Sequence, residues 1–311
     1  MHWQQSSLKS CTQLVWPGST DWGNIALMSK SPVEIQKVIE ITRQAGDLLL
    51  KKFETEIEVG IKGAEEIVTE ADRASEALLH DLLLRLLPGS GFCGEETGYH
   101  PGRSGFTWVV DPLDGTHNYS EGIPAWACSV ALLDEGREPI MGVLDFPTQQ
   151  RVQWAERGGG AWQNGHPLKV KTTPLCETSI IGIQSRIRLN PFPDHLERTC
   201  FKYCGRGFGA IAYHAALIAA GKMRGCVDLS VKLHDVAAAV VILGEAGGIV
   251  SNLEGGPLLC HDHYHGPFED RVLPFFAGDP VTGPPLLKYL FPFGAPLGAA
   301  GSRGIQSHID E

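Results

Sequence analysis

The chain has 311 residues, of which 43% are hydrophobic and 20% are charged, a composition typical of a folded globular protein. Its 36 acidic residues outnumber 26 basic ones, and the formal net charge of -10 argues against nucleic-acid binding through a basic face. No run reaches the roughly 18 apolar residues that span a bilayer. The 8 cysteines lack the spacing of a zinc site or a disulfide scaffold. We therefore expect a cytoplasmic protein with no membrane partner.

The first predicted elements are two helices. Residues 1–30 show no apolar period and are predicted to be a disordered extension. A capping box at residues 31–34 predicts that ordered structure begins with an amphipathic helix from Pro32 to Phe53. A polar, glycine-containing loop is expected over 60–66. Thr69 is then the predicted N-cap of a second helix, which Pro88-Gly89 ends.

Apolar runs separated by turn residues follow, and they predict short strands in a largely antiparallel sheet. The predicted strands are 92–93, 107–110, 127–133, 140–145, 152–156 and 168–170. Hairpin loops are predicted at 134–137 and 162–165, where turn-forming residues cluster. Together with the two helices, these strands form a predicted N-terminal α+β half, residues 31–172, which carries the acidic motif described below.

The later part of the chain alternates strands and helices. The predicted elements are a strand at 179–182, an Ala-rich helix at 211–220, a strand at 226–229 and a helix at 236–246. Gly247-Gly248 supplies the stop for the last of these helices. The alternation predicts a mixed α/β half over 173–293 that completes the site. Residues 294–311, rich in Gly, Ala and Ser, are predicted to be a disordered tail.

The most informative segment is residues 108–116, with the sequence WVVDPLDGT. An apolar strand delivers Asp111 at its end, Pro112 is expected to break the strand, and Asp114 follows. Hard carboxylate oxygens held this close suit Mg²⁺, and the peptide oxygen of Leu113 can point into the same space. The segment therefore predicts a metal site. Taken alone, it is equally well explained as a turn, because each of its residues favours turns.

Gly115 and Thr116 come directly after the two aspartates. A glycine lets a phosphate approach backbone N–H groups that can begin a helical turn, so this loop is also a candidate anion site. Two more acidic residues accompany it: Glu95 follows a short strand, and Asp235 precedes the last of the helices named above. In isolation, Glu95 would be a solvated surface charge and Asp235 a helix N-cap.

Considered together, these motifs occur in the order typical of the inositol monophosphatase family: Gly-Glu-Glu, then Trp-x-x-Asp-Pro-x-Asp-Gly-Thr, then an Asp opening a helix that ends Glu-Ala-Gly-Gly. The chain resembles this family from about Ser31 to Gly278. The resemblance implies an α+β fold, a layered αβαβα sandwich that is usually a homodimer. It also implies a Mg²⁺-dependent, Li⁺-sensitive phosphomonoesterase acting on a small polyol or sugar phosphate, such as inositol 1-phosphate.

The resemblance also assigns roles to residues. The implied ligands of two Mg²⁺ ions are oxygen donors, with Asp111 bridging: Glu95, Asp111, the carbonyl of Leu113, Asp114 and Asp235. The implied catalytic groups are Asp72 and Thr116, which orient and deprotonate the attacking water, together with Glu95. The implied substrate contacts are Gly115, Thr116, Gly209, Ala210 and Asp228.

Several features leave the substrate open. Asp228 stands where the family commonly has a longer Glu, and His234 stands where it usually has Trp. We interpret His234 as a packing residue, with a polar neighbour of the site as the alternative. The segments at 117–119 and 122–126 resemble bacterial histidinol-phosphate phosphatases, so an amino-alcohol phosphate is the leading alternative substrate. Adenosine 3',5'-bisphosphate and fructose 1,6-bisphosphate are further alternative substrates. His261, His263 and His265 are interpreted as part of an exposed loop and not as a zinc site.

A non-enzymatic alternative is an interaction protein that keeps the fold, because fold does not fix function. Such a protein should have lost some of the metal carboxylates. Every one of Glu95, Asp111, Asp114 and Asp235 is present, which favours an enzyme.

Overall fold

The computed structural model describes residues 31–53, 59–62, 66–185, 194–259 and 272–292. The predicted extension 1–30, the predicted tail 294–311 and the segment with the three histidines at 261–265 lie outside the described residues. The described helices are α1 (Ile35–Lys52), α2 (Glu70–Leu86), α3 (Thr116–Ser120), α4 (Asp194–Lys202), α5 (Ile211–Ala219), α6 (Leu233–Glu245) and α7 (Gly283–Leu290). None of them is long and apolar enough to cross a membrane.

The first helix begins later than the sequence predicts. α1 starts at Ile35, after a residue, Glu34, whose backbone is extended. Ser31 does not cap the helix, because its hydroxyl donates to the carbonyl of Val33 (3.0 Å) and closes a local turn. The predicted capping box is therefore wrong. Burial of one face, centred on residues such as Val38 and Leu49, stabilises the helix instead.

A small antiparallel hairpin, β1 (Val59–Lys62) and β2 (Glu66–Thr69), leads into α2. The prediction of a loop over 60–66 is therefore wrong for the residues that belong to β1 and for Glu66. Strands of four residues are too short to show a clear period in the sequence. β2 ends where α2 begins, at the residue predicted as the N-cap.

An eight-stranded sheet follows in the chain. Its strands are β3 (Gly91–Gly94), β4 (Gly98–His100), β5 (Thr107–Asp114), β6 (Ala127–Leu133), β7 (Pro139–Phe146), β8 (Arg151–Glu156), β9 (Ala161–Gln163) and β10 (His166–Pro167). The spatial order is β10-β9-β8-β7-β6-β5-β3-β4. β3 is parallel to β5, and every other pairing is antiparallel, which confirms the predicted sheet type.

The two hairpins predicted for this sheet are observed, but the last strand predicted for it is not. Both predicted hairpins are confirmed, and Asn164 and Gly165 have the positive φ angles (48° and 83°) that suit a two-residue turn. The strand predicted at 168–170 is wrong. The chain leaves the sheet there, and the N–H of Val170 donates to the carbonyl of Ala246 (3.0 Å) beyond the end of α6.

Strand β5 also differs from its prediction, because Pro112 does not end it. Asp111 pairs with Ser129 and Asp114 pairs with Ala127, so β5 has one more residue than β6 between these two pairs. This offset is a β-bulge, which accommodates Pro112 without ending the strand. The bulge keeps both aspartates on one continuous, buried strand.

The second sheet has five strands: β11 (Ile180–Ile183), β12 (Cys204–Arg206), β13 (Gly225–Val231), β14 (Ile249–Ser251) and β15 (Leu273–Gly278). Their order is β12-β11-β13-β15-β14. β11 is parallel to both neighbours, whereas β15 is antiparallel to both of its neighbours. The two sheets thus use separate stretches of the chain; the predicted division near residue 173 stays a prediction.

The layers form an α+β sandwich of the αβαβα type. α1 and α2 pack on one face of the eight-stranded sheet, α5 and α6 lie between the two sheets, and α4 and α7 cover the five-stranded sheet. The helices between the sheets are apolar on nearly all sides, as a doubly covered helix requires. This arrangement brings the N-termini of α5 and α6 toward the end of β5.

Candidate active site

Two neighbouring strands deliver the first three acidic residues of the motif. β3 runs parallel to β5 with Gly94 opposite Val110, so Glu95 emerges beside Asp111. The N–H of Glu95 donates to the carbonyl of Val110 (3.2 Å), which ties the two strand ends together. Asp111 and Asp114 are buried, at 1% and 9% exposure. Carboxylates that lie far apart in sequence therefore meet at one edge of the sheet.

The fourth acidic residue, Asp235, comes from the first turn of α6, which packs against β5. Burial, and then repulsion from Glu95, Asp114 and Asp235, raises the pKa of Asp111 well above its usual range. Burial and repulsion from Asp235 likewise raise the pKa of Asp114, although backbone N–H groups of α5 oppose the shift. These four carboxylates are close enough to destabilise one another when ionised. A divalent cation would relieve that repulsion.

Backbone N–H groups hold three of the carboxylates in place. Asp111 Oδ1 accepts from Leu113 N (2.9 Å), Asp114 Oδ2 from Ala212 N (2.6 Å), and Asp235 Oδ2 from Lys232 N (2.6 Å). Within the described residues, no three Asp, Glu, His or Cys side chains lie close enough to form a ready-made metal cluster. Each of these carboxylates nevertheless has a second oxygen and further lone pairs, so the donor set still fits a hard cation.

The residues implied to activate water lie directly beside this group. Asp72, in the first turn of α2, is 1% exposed, and the hydroxyl of Thr116 lies 3.3 Å from its Oδ1. The same hydroxyl lies 3.0 Å from the carbonyl oxygen of Leu113. Because a hydroxyl has one hydrogen, it can donate to only one of these oxygens at a time. The structure thus brings Asp72, Thr116 and the Leu113 carbonyl together.

Gly115 is the N-cap residue directly before the short helix α3, and its backbone lies in the left-handed region, with φ at 94°. A side chain would be strained there, and its Cβ would lie 3.0 Å from the carbonyl oxygen of Ala125 and 3.1 Å from Ala210 Cβ. Glycine is therefore required both for the turn and for the close approach of the loop that contains Ala210. The prediction that a helical turn begins here is confirmed.

A cavity of about 640 Å³ opens above these residues. Eight of the predicted site residues line it, namely Glu95, Asp114, Gly115, Thr116, Gly209, Ala210, Asp228 and Asp235. Asp72, Asp111 and Leu113 are buried and do not line the cavity. Asp228 Oδ1 accepts from both the N–H and the hydroxyl of Ser230, at 2.9 Å each. The functional roles assigned to these residues stay predictions.

Sequence reasoning missed side chains that shape the cavity. Asn118 Nδ2 donates to the carbonyls of Ala125 and Phe208, at 2.6 Å each, and so joins the loop after α3 to the loop before α5. His214 Nε2 accepts from Phe208 N (3.1 Å), and burial lowers the pKa of His214 to about 4, so it is neutral at pH 7. Asn118 lies two residues after the acidic motif; no sequence pattern marks His214.

The interpretation of His234 as a packing residue requires correction. His234 is 5% exposed, but it lines the cavity, and its Nε2 lies 3.4 Å from Asp235 Oδ1. It lies in the first turn of α6 next to Asp235, so the helix that presents the carboxylate also presents the imidazole. His234 is thus a polar neighbour of the acidic group.

Comparison with known proteins agrees with this geometry. The profile described as the inositol monophosphatase family matches residues 31–267. An inositol-1-monophosphatase of Mesorhizobium japonicum is 34% identical over 227 residues, covering 70% of this chain and 85% of the relative. A histidinol-phosphatase of Chlorobaculum parvum is 33% identical over 226 residues, covering 71% of this chain and 86% of the relative.

A solved structure supports the same assignment. The inositol monophosphatase of Thermotoga maritima superposes with a TM-score of 0.73 at 26% identity, covering 82% of this chain and 95% of that protein. The family resemblance and the layered fold predicted from the sequence are both confirmed. The chain belongs to the inositol monophosphatase family of metal-dependent phosphomonoester hydrolases.

Proposed function

We propose that this enzyme uses Mg²⁺ to hydrolyse the phosphate monoester of a small polyol or sugar, such as inositol 1-phosphate. The observation that carries the proposal is the meeting of four carboxylates from β5, the end of β3 and α6, with a hydroxyl–carboxylate pair beside them. A cavity of about 640 Å³ gives room for a small phosphorylated metabolite. Family membership supports the reaction class.

The proposed metal ligands are Glu95, Asp111, the Leu113 carbonyl, Asp114 and Asp235. Their hard oxygen donors suit Mg²⁺. Burial and then repulsion from its acidic neighbours raise the pKa of Asp111, and this repulsion supports a cation between the carboxylates. Mg²⁺ held there would supply a nucleophilic water of lowered pKa and a positive charge that stabilises the leaving oxygen. The Li⁺ sensitivity implied by the family resemblance is part of the proposal.

Asp72 and Thr116 would hold the attacking water. When the Thr116 hydroxyl donates to Asp72, its oxygen can accept a hydrogen bond from a water, and the proton of that water would pass to Thr116 as the Thr116 proton passes to Asp72. Burial keeps the Asp72 carboxylate out of bulk solvent, whereas Thr116 lines the cavity where the water would lie. The pair would therefore orient a water and receive its proton while the water attacks phosphorus.

The remaining predicted contacts would bind the substrate. Backbone N–H groups at Gly115 and Thr116 would hold phosphate oxygens, and the backbone near Gly209 and Ala210, with Asp228, would face the alcohol part. These residues all line the same cavity. The proposal thus puts the phosphate at the β5 side and the alcohol at the β13 side.

An amino-alcohol phosphate such as histidinol phosphate is a second candidate. The similarity to a histidinol-phosphatase equals that to an inositol-1-monophosphatase within 1% identity. Asp228 would also offer a carboxylate to an ammonium group in this part of the cavity.

Phosphate release should be measured with inositol 1-phosphate, histidinol phosphate, fructose 1,6-bisphosphate and adenosine 3',5'-bisphosphate. Each assay should be run with Mg²⁺, after chelation and after Mg²⁺ is restored. We expect activity on one of the first two substrates that disappears on chelation and returns with Mg²⁺. Absence of phosphate release from all four, or full activity in verified metal-free buffer, would overturn the proposal.

A further inference from the structure

A buried glutamate that belongs to none of the assigned roles lies on α2. Glu76 is one helical turn after Asp72 and therefore on the same face of the helix. It is only 1% exposed. Burial of a carboxylate is costly unless hydrogen bonds compensate, so the partners of Glu76 indicate what the residue does.

The partners of Glu76 are the two backbone groups that directly follow the predicted metal ligand Glu95. Glu76 Oε2 accepts from Glu96 N (2.8 Å), and Oε1 accepts from Thr97 N (2.8 Å). Both oxygens of one side chain are therefore used by the turn between β3 and β4. Hydrogen bonds to a charged acceptor are about twice as strong as neutral ones, so this pair fixes the turn firmly.

Contacts of Gly94 and of the Glu95 N–H also fix the backbone around Glu95. A Cβ added to Gly94 would lie 2.5 Å from Glu76 Oε1, so only glycine lets the carboxylate pack this closely against the backbone. The N–H of Glu95 itself donates to Val110 of β5. The backbone before, at and after Glu95 is thus fixed by either Glu76 or β5.

We propose that Glu76 is a positioning residue for Glu95, one that sets the metal affinity of the site without touching the metal. The inference rests on the proposed function, because it takes Glu95 as a ligand. α2 would then serve the site twice: Asp72 holds the water-activating hydroxyl, and Glu76 aims a metal ligand. Rigid support of this kind is worth about 10 to 100-fold in metal affinity at characterised metal sites.

The test is Glu76→Gln, which keeps the size of the side chain but replaces one acceptor with an NH₂ group that faces a backbone N–H. Mn²⁺ binding to the full chain without substrate, followed by electron paramagnetic resonance, should weaken by about 10-fold or more. The Mg²⁺ concentration for half-maximal phosphate release should rise by a similar factor, with kcat recovered at saturation. Asp81→Asn is the matched control, because Asp81 is an exposed residue of α2 paired with Arg85 (2.7 Å).

A role in stability alone predicts a different result. Glu76→Gln would then lower the melting temperature but bind Mn²⁺ as tightly as the unaltered protein below that temperature, and this outcome would overturn the inference. Gly94→Ala is the second variant, since it displaces the Glu76 carboxylate without removing it, and it should also weaken Mn²⁺ binding. Unchanged Mn²⁺ affinity in a folded Gly94→Ala protein would count against the inference even where Glu76→Gln fails to fold.

The same measurements separate this inference from the proposed function. An unaltered protein that binds Mn²⁺ but releases phosphate from no ester would overturn the function and leave the positioning role of Glu76 measurable. Equal Mn²⁺ affinity in Glu76→Gln and the unaltered enzyme, with normal phosphate release, would overturn the positioning role and leave the function. A chain that does not bind Mn²⁺ at all would overturn both.

Discussion

The two walls of the cavity are built in different ways. On the β5 side, Asp114 lines the cavity and accepts a hydrogen bond from α5, 98 residues away in the chain, whereas Asp111 is buried and does not line the cavity. On the β13 side, Asp228 bonds to Ser230, only two residues away. A contact between distant parts of the chain therefore holds Asp114, whereas a local contact holds Asp228. We therefore expect changes on the β5 side to affect the proposed chemistry and changes at Asp228 to affect mainly the choice of substrate.

The largest expected effect is on the β5 side. Asp111→Asn should reduce phosphate release below detection, because Asp111 interacts electrostatically with each of Glu95, Asp114 and Asp235 and is the proposed bridging ligand. The variant should still fold. In metal-free buffer its melting temperature should equal or exceed that of the unaltered protein, since one repelling charge is gone. Calorimetry and a phosphate assay would check both statements; strong destabilisation without metal would make Asp111 a structural residue.

The next largest effect concerns the water-activating pair. Thr116→Ala and Asp72→Asn should each lower kcat and kcat/KM together by about 10² to 10⁴-fold, the usual range for a lost general base. The double variant should be scarcely worse than the more damaging single one, because the two residues act as one unit. Steady-state kinetics at saturating Mg²⁺ would measure all three.

Ser120→Ala is the control for the hydroxyl, since Ser120 lies at the other end of α3 and donates only to the carbonyl of His117 in the described contacts. It should leave kcat unchanged. Fully additive losses in the Thr116 and Asp72 variants, or recovery of Thr116→Ala by extra Mg²⁺ alone, would show that the two residues do not share the activation of water.

A smaller effect is expected on the β13 side. Asp228→Ala should change the ratio of kcat/KM between inositol 1-phosphate and histidinol phosphate by about 10-fold, a typical size for one altered pocket contact. Asp228→Glu should favour the inositol ester, because the longer side chain reaches further into the cavity. An equal loss on every substrate would mean that Asp228 serves the metal site or the fold, and the contrast between the two walls would fail.

The sequence predicts the β5 wall well because its chemistry is concentrated in one segment. Asp111, Asp114, Gly115 and Thr116 are consecutive or nearly so, and a parallel neighbour strand brings Glu95 beside them. The geometry of that segment was not predicted. Pro112 is accommodated by a bulge, which depends on the pairing with β6 and cannot be read from a single strand.

The supporting residues were not predictable in the same way. Glu76 bonds to backbone groups of the turn between β3 and β4, and His214 bonds to Phe208 N in the loop before α5; such bonds leave no period or spacing in the sequence. Ser31 is the reverse case, because its sequence pattern predicts a helix cap that does not form. Its sequence context matches a helix cap, but a competing local hydrogen bond to Val33 uses its hydroxyl. Tertiary contacts and local competition therefore account for most of what sequence patterns missed.

The smallest functional effect is expected for Asp145, a buried carboxylate of β7 that does not line the cavity. It packs against Gly46 of α1. Burial raises the pKa of Asp145 from its ordinary 3.8 to about 7, although Arg43 opposes the shift. If every buried carboxylate contributed to catalysis, removal of the Asp145 carboxylate would lower kcat. We expect Asp145→Asn to leave kcat at saturating Mg²⁺ unchanged.

Asp145 should instead affect the free energy of unfolding, over the pH range between its pKa in the unfolded chain and its pKa in the folded protein. The pKa in the folded state is raised, so the stabilisation by the protonated group is complete below about pH 4 and is lost as the pH rises to about 7. Within that window the free energy of unfolding should fall by about 1.4 kcal/mol per pH unit because of this residue. Urea unfolding at pH 5, 6, 7 and 8 should show a flatter profile for Asp145→Asn than for the unaltered protein. Glu40→Gln, an exposed change on α1, is the control and should keep the original slope. Identical slopes for Asp145→Asn and the control would mean that the pKa of Asp145 is not raised in the folded protein. A loss of kcat would mean that Asp145 of β7 also contributes to catalysis.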